Sequence, residues 1–329
     1  MQGLTAAFLI LTWGVAFSDL SDFHTFKSQY GKHYCNSSEE SQRYGIYSAN
    51  LELIKLHNND PESSHLMAMN QFGDWTLEEF VTWFASSPSN QISNSDQLLE
   101  LQETELGAIP ESVDWAAVGA INMNDQGKCR SNYAQVSAAA IQSSWAIRNG
   151  ELIPPSTQQL IDCTRSLGSN GCLQGDVRGA LRYAMNGPGL CPAEIYPFTG
   201  RSSDSCHDNR CPPLLKIKSF QGLDRANEYN LKLAVFTQPI ISYISINDPG
   251  IMFYASGIYN GACSGDATHA IVIVGYGKDA GTGELYWKIG NTWGNGWGED
   301  GYLKITRSTN SNSPGKCSIA SNPIYIQAY

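Results

Sequence analysis

The sequence predicts an α+β protein of two lobes preceded by a helical region, and three observations carry that reading. Near the N-terminus apolar residues recur at turn-like spacing, Phe23, Phe26 and Tyr30, then Tyr44, Tyr47, Leu51 and Ile54, the signature of amphipathic helix over about 19–58. In mid-chain, residues 132–149 are alanine-rich and run into Gly150, a good helix with a glycine stop. The last third changes character to short β-type runs punctuated by glycine, at 240–246, 270–274, 286–289 and 302–305. A helical half followed by a strand-rich half describes two packed layers of structure with a cleft at their seam.

Composition narrows the classes of function. The chain has 329 residues, enough for a full-sized core, with 42% hydrophobic and 16% charged residues. Twenty-one basic against 31 acidic residues give a net charge of −10 with no basic patch. Nucleic acid and anionic membrane surfaces are therefore poor partners.

Residues 1–18, MQGLTAAFLILTWGVAFS, form an apolar run ending in small residues. They lack a basic start, yet they are too short for a membrane anchor and read as a cleaved signal peptide. Nine cysteines behind such a leader imply an oxidising compartment and a disulfide set with one thiol left over. No paired CxxC occurs, so no metal site is expected, and nothing calls for a cofactor. Asn36-Ser37-Ser38 is a glycosylation sequon if the chain is secreted. The expected location is extracellular or lysosomal.

The identities of the helical residues say more than their spacing. Glu39, Arg43, Tyr47, Asn50, Ile54 and Asn58 lie in register along one stretch. They resemble the inhibitory prodomain helix of cathepsin L-like proteases, E-x3-R-x3-F-x2-N-x3-I-x3-N, with Tyr for Phe. Ala68-Met69-Asn70-Gln71-Phe72-Gly73-Asp74 is similar to that prodomain's G-x-N-x-F-x-D signature. The stretch from Ser86 to about Gly107 is polar, as expected of an exposed, cleavable linker. Ile109-Pro110-Glu111-Ser112-Val113-Asp114-Trp115 resembles the start of the mature enzyme. The implied organisation is a signal peptide at 1–18, a helical inhibitory prodomain with linker at 19–107, and a papain-like domain at 108–329. The resemblance implies a helical left lobe and a β-barrel-like right lobe.

Gln126-Gly127-Lys128-Cys129-Arg130-Ser131-Asn132-Tyr133-Ala134 resembles the papain family's Q-G-x-C-G-S-C-W-A, in which the second cysteine attacks the substrate carbonyl. Asn132 occupies that position. Cysteine chemistry depends on a thiolate, which a carboxamide cannot supply. A residue that opens a helix is also a natural N-cap, so Asn132 is expected to hold the helix start.

The other catalytic positions are kept. His269, before Ala270 and the Val274-Gly275-Tyr276-Gly277 run, matches the family's base. Asn291, followed by Trp293 and Gly294, matches the amide that orients the imidazole, with Trp293 shielding that bond. Gln126 matches the oxyanion donor.

The cleft around them has drifted. Arg130 stands for a glycine, Tyr133 for a tryptophan, Gln135 for an apolar residue and Gln174 for a glycine. Gly175, Val177, Tyr243 and Trp293 are the expected substrate-cleft positions, with Tyr243 narrowing the pocket for the substrate's second residue. The resemblance also implies bridges Cys129–Cys172, Cys163–Cys206 and Cys263–Cys317, leaves Cys191 and Cys211 for a fourth, and leaves Cys35 alone.

Two functions compete. One is a secreted, monomeric pseudoprotease that binds its own prodomain, peptides, protease inhibitors or a protein partner. The other is an active cysteine endopeptidase resting on Gln126, His269 and Asn291. Loss of a nucleophile lowers turnover roughly a millionfold, which favours the first. A self-cleavage or ligation chemistry at Asn132 is a third, remoter idea.

Overall fold

Helix starts and stops are set locally at the N-terminus. The computed structural model describes residues 20–85, 98–211, 214–223, 227–310 and 312–329. The expected signal peptide and residues 86–97 of the expected linker lie outside them. The helical stretch expected over 19–58 is two helices, α1 over 20–30 and α2 over Ser37–Asn58. Gly31 breaks it with a φ of 57°, in the left-handed region that glycine tolerates. Asn36 then caps α2, its Oδ1 accepting from the Glu39 amide at 2.9 Å. Phe23, Phe26 and Tyr47 close a small core between the two helices.

The polar face of α2 reads the segment that follows it. Arg43 donates to the Asp74 carbonyl and pairs with Glu79 at 2.8 Å. The Asn50 amide donates to the carbonyls of Gly73 and Trp75, and Asn58 exchanges two hydrogen bonds with the backbone of Met67. This holds β1 (His65–Met67) and α3 (Leu77–Phe84). Thr76 and Glu79 start α3 with a reciprocal capping box.

Residues 98–107 of the expected linker carry local structure despite their polarity: Leu98–Leu99 forms β2 and Glu103–Leu106 forms α4. At the start of the papain-like region Val113–Asp114 forms β3. The β2 strand adds in parallel to the sheet edge, so backbone pairing overrides composition there.

The helical lobe contains α5 (Asn132–Asn149), α6 (Thr157–Cys163) and α7 (Val177–Asn186). Small side chains let α5 run buried from Asn132 to Ser144, and Gly150 ends it at a φ of 73°. The strand lobe follows: β4 (Ile217–Leu223), α8 (Glu228–Thr237), β5 (Ile240–Ile244), α9 (Pro249–Met252) and β6 (Tyr254–Tyr259). Then come β7 (His269–Lys278), β8 (Leu285–Gly290), β9 (Tyr302–Thr306) and β10 (Ile324–Ala328).

The sheet is open rather than closed, in the order β1-β6-β9-β8-β7-β5-β10-β4-β2, with β3 attached to β7. Its first strand belongs to the N-terminal region, so that region completes the sheet. Four disulfides brace the lobes, Cys129–Cys172, Cys163–Cys206, Cys191–Cys211 and Cys263–Cys317. Cys35 is free and exposed. Among the described residues, no helix is long and apolar enough to cross a membrane.

The β1–β6 seam buries a titratable group. His65 is 6% exposed, and neither ring nitrogen has a hydrogen-bond partner. Its ring packs against His57 at 4.4 Å and Tyr259 at 5.1 Å. Burial, helped by His57 and opposed by Asp248, pushes its pKa down to about 4. A free imidazole titrates near ~6.5, so the released segment takes up a proton that the docked ring refuses. Docking of the N-terminal region therefore weakens as pH falls from ~6.5 toward 4, by roughly 3 kcal/mol at most. His65→Phe is expected to flatten this dependence, read as urea midpoints for release at pH 7 and pH 4.5. Equal losses in both proteins would contradict it.

Candidate functional site

The loop before α5 is pinned on both sides. The Gln126 amide donates to the Thr292 carbonyl at 3.0 Å, and the Arg130 amide donates to the Cys172 carbonyl at 2.8 Å beside the Cys129–Cys172 bridge. This fixes Asn132 at the head of α5, between the lobes. Asn132 is not the N-cap expected from its position: Ser131 precedes the helix and Asn132 is its first residue. Its amide instead crosses the seam, donating to the Ala270 carbonyl at 2.9 Å and to Thr292 Oγ1 at 3.1 Å. A cap lies outside the helix and uses its side-chain oxygen as acceptor; here Asn132 is already helical, and the two bonds satisfy the donors of its buried Nδ2.

Thr292 links two of the expected catalytic positions. Its hydroxyl accepts from Asn132 and donates to Gln126 Oε1 at 2.6 Å, while Gln126 Nε2 donates to the Cys129 carbonyl at 3.3 Å. The Gln126 amide is thus held between Thr292 and its own loop. Sequence reading passes over Thr292, whose only local signal is its place next to Asn291.

His269, at the start of β7, is wholly buried. Its Nε2 lies 2.9 Å from Asn291 Oδ1, and Trp293 packs on the ring at 4.8 Å. Its Nδ1 faces the Phe84 carbonyl at 3.1 Å rather than Asn132. Burial holds the imidazole below its usual pKa, against the opposite pull of Asn291 and Phe84. Both ring nitrogens face oxygen acceptors, so a neutral ring can donate to only one of them.

The cleft is occupied by the N-terminal region. Trp83, Phe84 and Ala85 face Gln126, Asn132, Leu173 and Gly175 across a gap of about 10 Å³, which is at the limit for a single water. Phe72, Phe80 and Phe84 pack on Trp293 at 5.8, 4.9 and 4.9 Å. Gln71 and Asn70 donate to the Trp293 and Met252 carbonyls. Beyond Gln126 a larger cavity of about 400 Å³ opens between Asp125–Lys128 and the N-terminal residues Lys32, Tyr34 and Asp74.

The expected substrate-cleft residues separate in the structure. Gly175 borders the gap, and a Cβ there would lie 2.5 Å from the Tyr133 ring, so packing alone requires glycine. Val177 and Tyr243 do not border it: both are buried in the core around α5. The Tyr243 phenol is raised well above its usual pKa by that burial. In the β5–β7 ladder Tyr243 pairs with Ala270, one position from the Ile244–His269 pair, with its side chain in the helical lobe's core. Asn36 is exposed at the α2 cap, which uses Oδ1 and leaves the amide nitrogen for a glycan. No group of three or more His, Cys, Asp or Glu that could hold a metal ion occurs among the described residues.

Two lobes meeting at a His–Asn pair beneath a tryptophan, with a helical segment across the seam, define a class of protein. Residues 109–327 match the family described as papain family cysteine protease, and residues 23–80 match the cathepsin propeptide inhibitor domain. The chain belongs to the papain family of cysteine proteases. It is 34% identical over 315 residues to a cathepsin L-like proteinase of Phaedon cochleariae, covering 94% of this chain and 95% of that one. It is 32% identical over 307 residues to ananain of Ananas comosus, covering 93% of this chain and 87% of the other. Its fold is similar to that of a recombinant stem bromelain precursor, with a TM-score of 0.84 at 30% identity over 94% of this chain and 99% of that one. The chain is a cathepsin L-like peptidase homologue with its propeptide seated in the cleft.

Thr292→Ala removes the hydroxyl that joins Asn132 to Gln126 and leaves two buried polar atoms short of a partner. The expected loss of stability is about 1–3 kcal/mol, read from denaturant unfolding. An unchanged midpoint would show that the hydroxyl is not holding these side chains.

Proposed function

We propose that this protein is a pseudoprotease, one that keeps the papain fold and a docked propeptide but acts by binding rather than by hydrolysis. The observation that carries this reading is Asn132. It stands where the family's nucleophile is expected and spends its amide on Ala270 and Thr292. No other thiol can substitute, because eight of the nine cysteines are bridged and Cys35 is exposed in the propeptide. Without a thiolate there is no acyl-enzyme, and the loss of about six decades in turnover is too large for the remaining oxyanion donor to make good.

Gln126, His269, Asn291 and Trp293 are then retained as cleft architecture. Four disulfides support residence in an oxidising compartment, extracellular or lysosomal. The proposed processing is removal of residues 1–18, with 19–107 as propeptide and linker and 108–329 as the papain-like domain, monomeric and without cofactor. A chain without a nucleophile cannot mature itself, so the propeptide is cut only by another protease. Its ligands are the propeptide and, once the cleft is vacant, peptides, protease inhibitors or a protein partner.

The opposing reading, an active cysteine endopeptidase, draws on the intact His269–Asn291 contact. A peptide-hydrolysis assay at mildly acidic pH, with thiol-directed epoxide labelling, separates the two. The expected result is no hydrolysis and no label in the cleft after the propeptide is removed. Thiol-sensitive hydrolysis would defeat the pseudoprotease reading. Asn132→Cys is expected to raise turnover by several decades if the site lacks only its sulfur. A silent variant would implicate Arg130, Tyr133 and Gln174 as well.

A further inference from the structure

The last turn of α3 ends against the papain domain, and its carbonyls are taken one after another. A helix leaves its final four carbonyls without intrahelical donors. In α3 the first of these, Val81, accepts from the Ala85 amide. The next two accept from outside, and the last lies against an imidazole nitrogen. Arg130 donates from a terminal nitrogen to the Thr82 carbonyl at 3.0 Å and from Nε to the Trp83 carbonyl at 2.8 Å. His269 Nδ1 faces the Phe84 carbonyl at 3.1 Å.

Helix α3 has no basic residue in its own last turn, so the cation that complements its negative end comes from the other domain. The guanidinium also lies over the Trp83 ring, 5.6 Å from its centre. Glu79, the nearby carboxylate, is engaged by Arg43. Phe84 completes the seat, packed between His269 and Trp293.

Arg130 is rigidly presented. Its amide donates to the Cys172 carbonyl, and its neighbour Cys129 is bridged to Cys172. It also stands where the family motif has glycine, which could offer the helix no side chain at all. The planar fork of arginine suits two adjacent carbonyls in a way that a lysine ammonium does not.

We propose that Arg130, together with His269 and Trp293, makes this cleft a receptor for the C-terminal turn of an α-helix ending in an aromatic pair, and that the propeptide stays bound as a separate piece after the linker is cut. The ligand class is an amphipathic helix with free terminal carbonyls and a Trp-Phe-like end, rather than an extended peptide. This rests on the binding reading above and identifies what is bound. Arg130 is a specificity-determining residue of that site.

The test uses the full chain with a protease site introduced within residues 86–97, cut by an added protease. Wild-type protein is expected to retain the propeptide through size-exclusion chromatography and native mass spectrometry. R130G is expected to release it about tenfold to a hundredfold faster, the scale set by losing hydrogen bonds from a charged donor. R130K, which keeps the charge without the fork, is expected to fall between them.

Hydrogen exchange on the uncut chains guards against a merely misfolded variant. R130G should expose the Ala85 amide while leaving α5 protected. Equal release rates and equal Ala85 protection in wild type and R130G would overturn the proposal. Peptide hydrolysis by the cut wild-type protein would instead defeat the non-catalytic reading, whatever the release rates show.

Discussion

The structure depends on an aromatic junction around Trp293. Its ring touches Trp297 within the strand lobe, His269 at the seam, and Phe72, Phe80 and Phe84 from the propeptide. These phenylalanines are almost fully buried and belong to the same core as Trp287 and Ile289 of the sheet. Each fully buried aromatic of this kind contributes roughly 1.5–3 kcal/mol relative to exposure. The propeptide is therefore part of the strand lobe's core rather than a cover laid on it. The β1–β6 pairing extends that union along the edge of the sheet.

Around this junction several polar groups of the cleft are joined by hydrogen bonds, while Asn291 Nδ2 and Trp293 Nε1 are buried without a partner. Asn132, Thr292 and Gln126 form a chain of hydrogen bonds, and His269 is held between Asn291 and the Phe84 carbonyl. In a buried site an unsatisfied amide is expensive. An asparagine that finds two acceptors, Ala270 and Thr292, is stable there in a way that an arbitrary polar substitution would not be. The bridges and the cores of the lobes do not depend on what residue 132 can do chemically. Each disulfide contributes ~2–4 kcal/mol, a stabilisation independent of any chemistry at residue 132.

Much of the fold was legible because its signals are local. The α5 helix shows in its alanines and in Gly150, and β5, β7, β8 and β9 show as glycine-bounded β-branched and aromatic runs. The register of Glu39, Arg43, Tyr47, Asn50, Ile54 and Asn58 pointed to the propeptide helix, and each of Arg43, Asn50 and Asn58 proves to bond the segment after it. Short strands such as β1 and β2 were not legible, since two or three residues carry no periodicity. The break at Gly31 was missed because the apolar runs on either side, Phe23 to Tyr30 and Tyr44 to Ile54, were read as one helix.

By itself the sequence determined the papain-family architecture, the cysteine inventory and the absence of a sulfur at residue 132, because these depend on residue identity and near-neighbour pattern. Only the tertiary structure decided what Asn132 does instead. Its acceptors lie 138 and 160 residues away along the chain, beyond the reach of any local rule. The same holds for Arg130, which meets the end of α3 nearly fifty positions upstream. A side chain's type is written in the sequence, but its partner is chosen by the packing of the two lobes and the propeptide against one another.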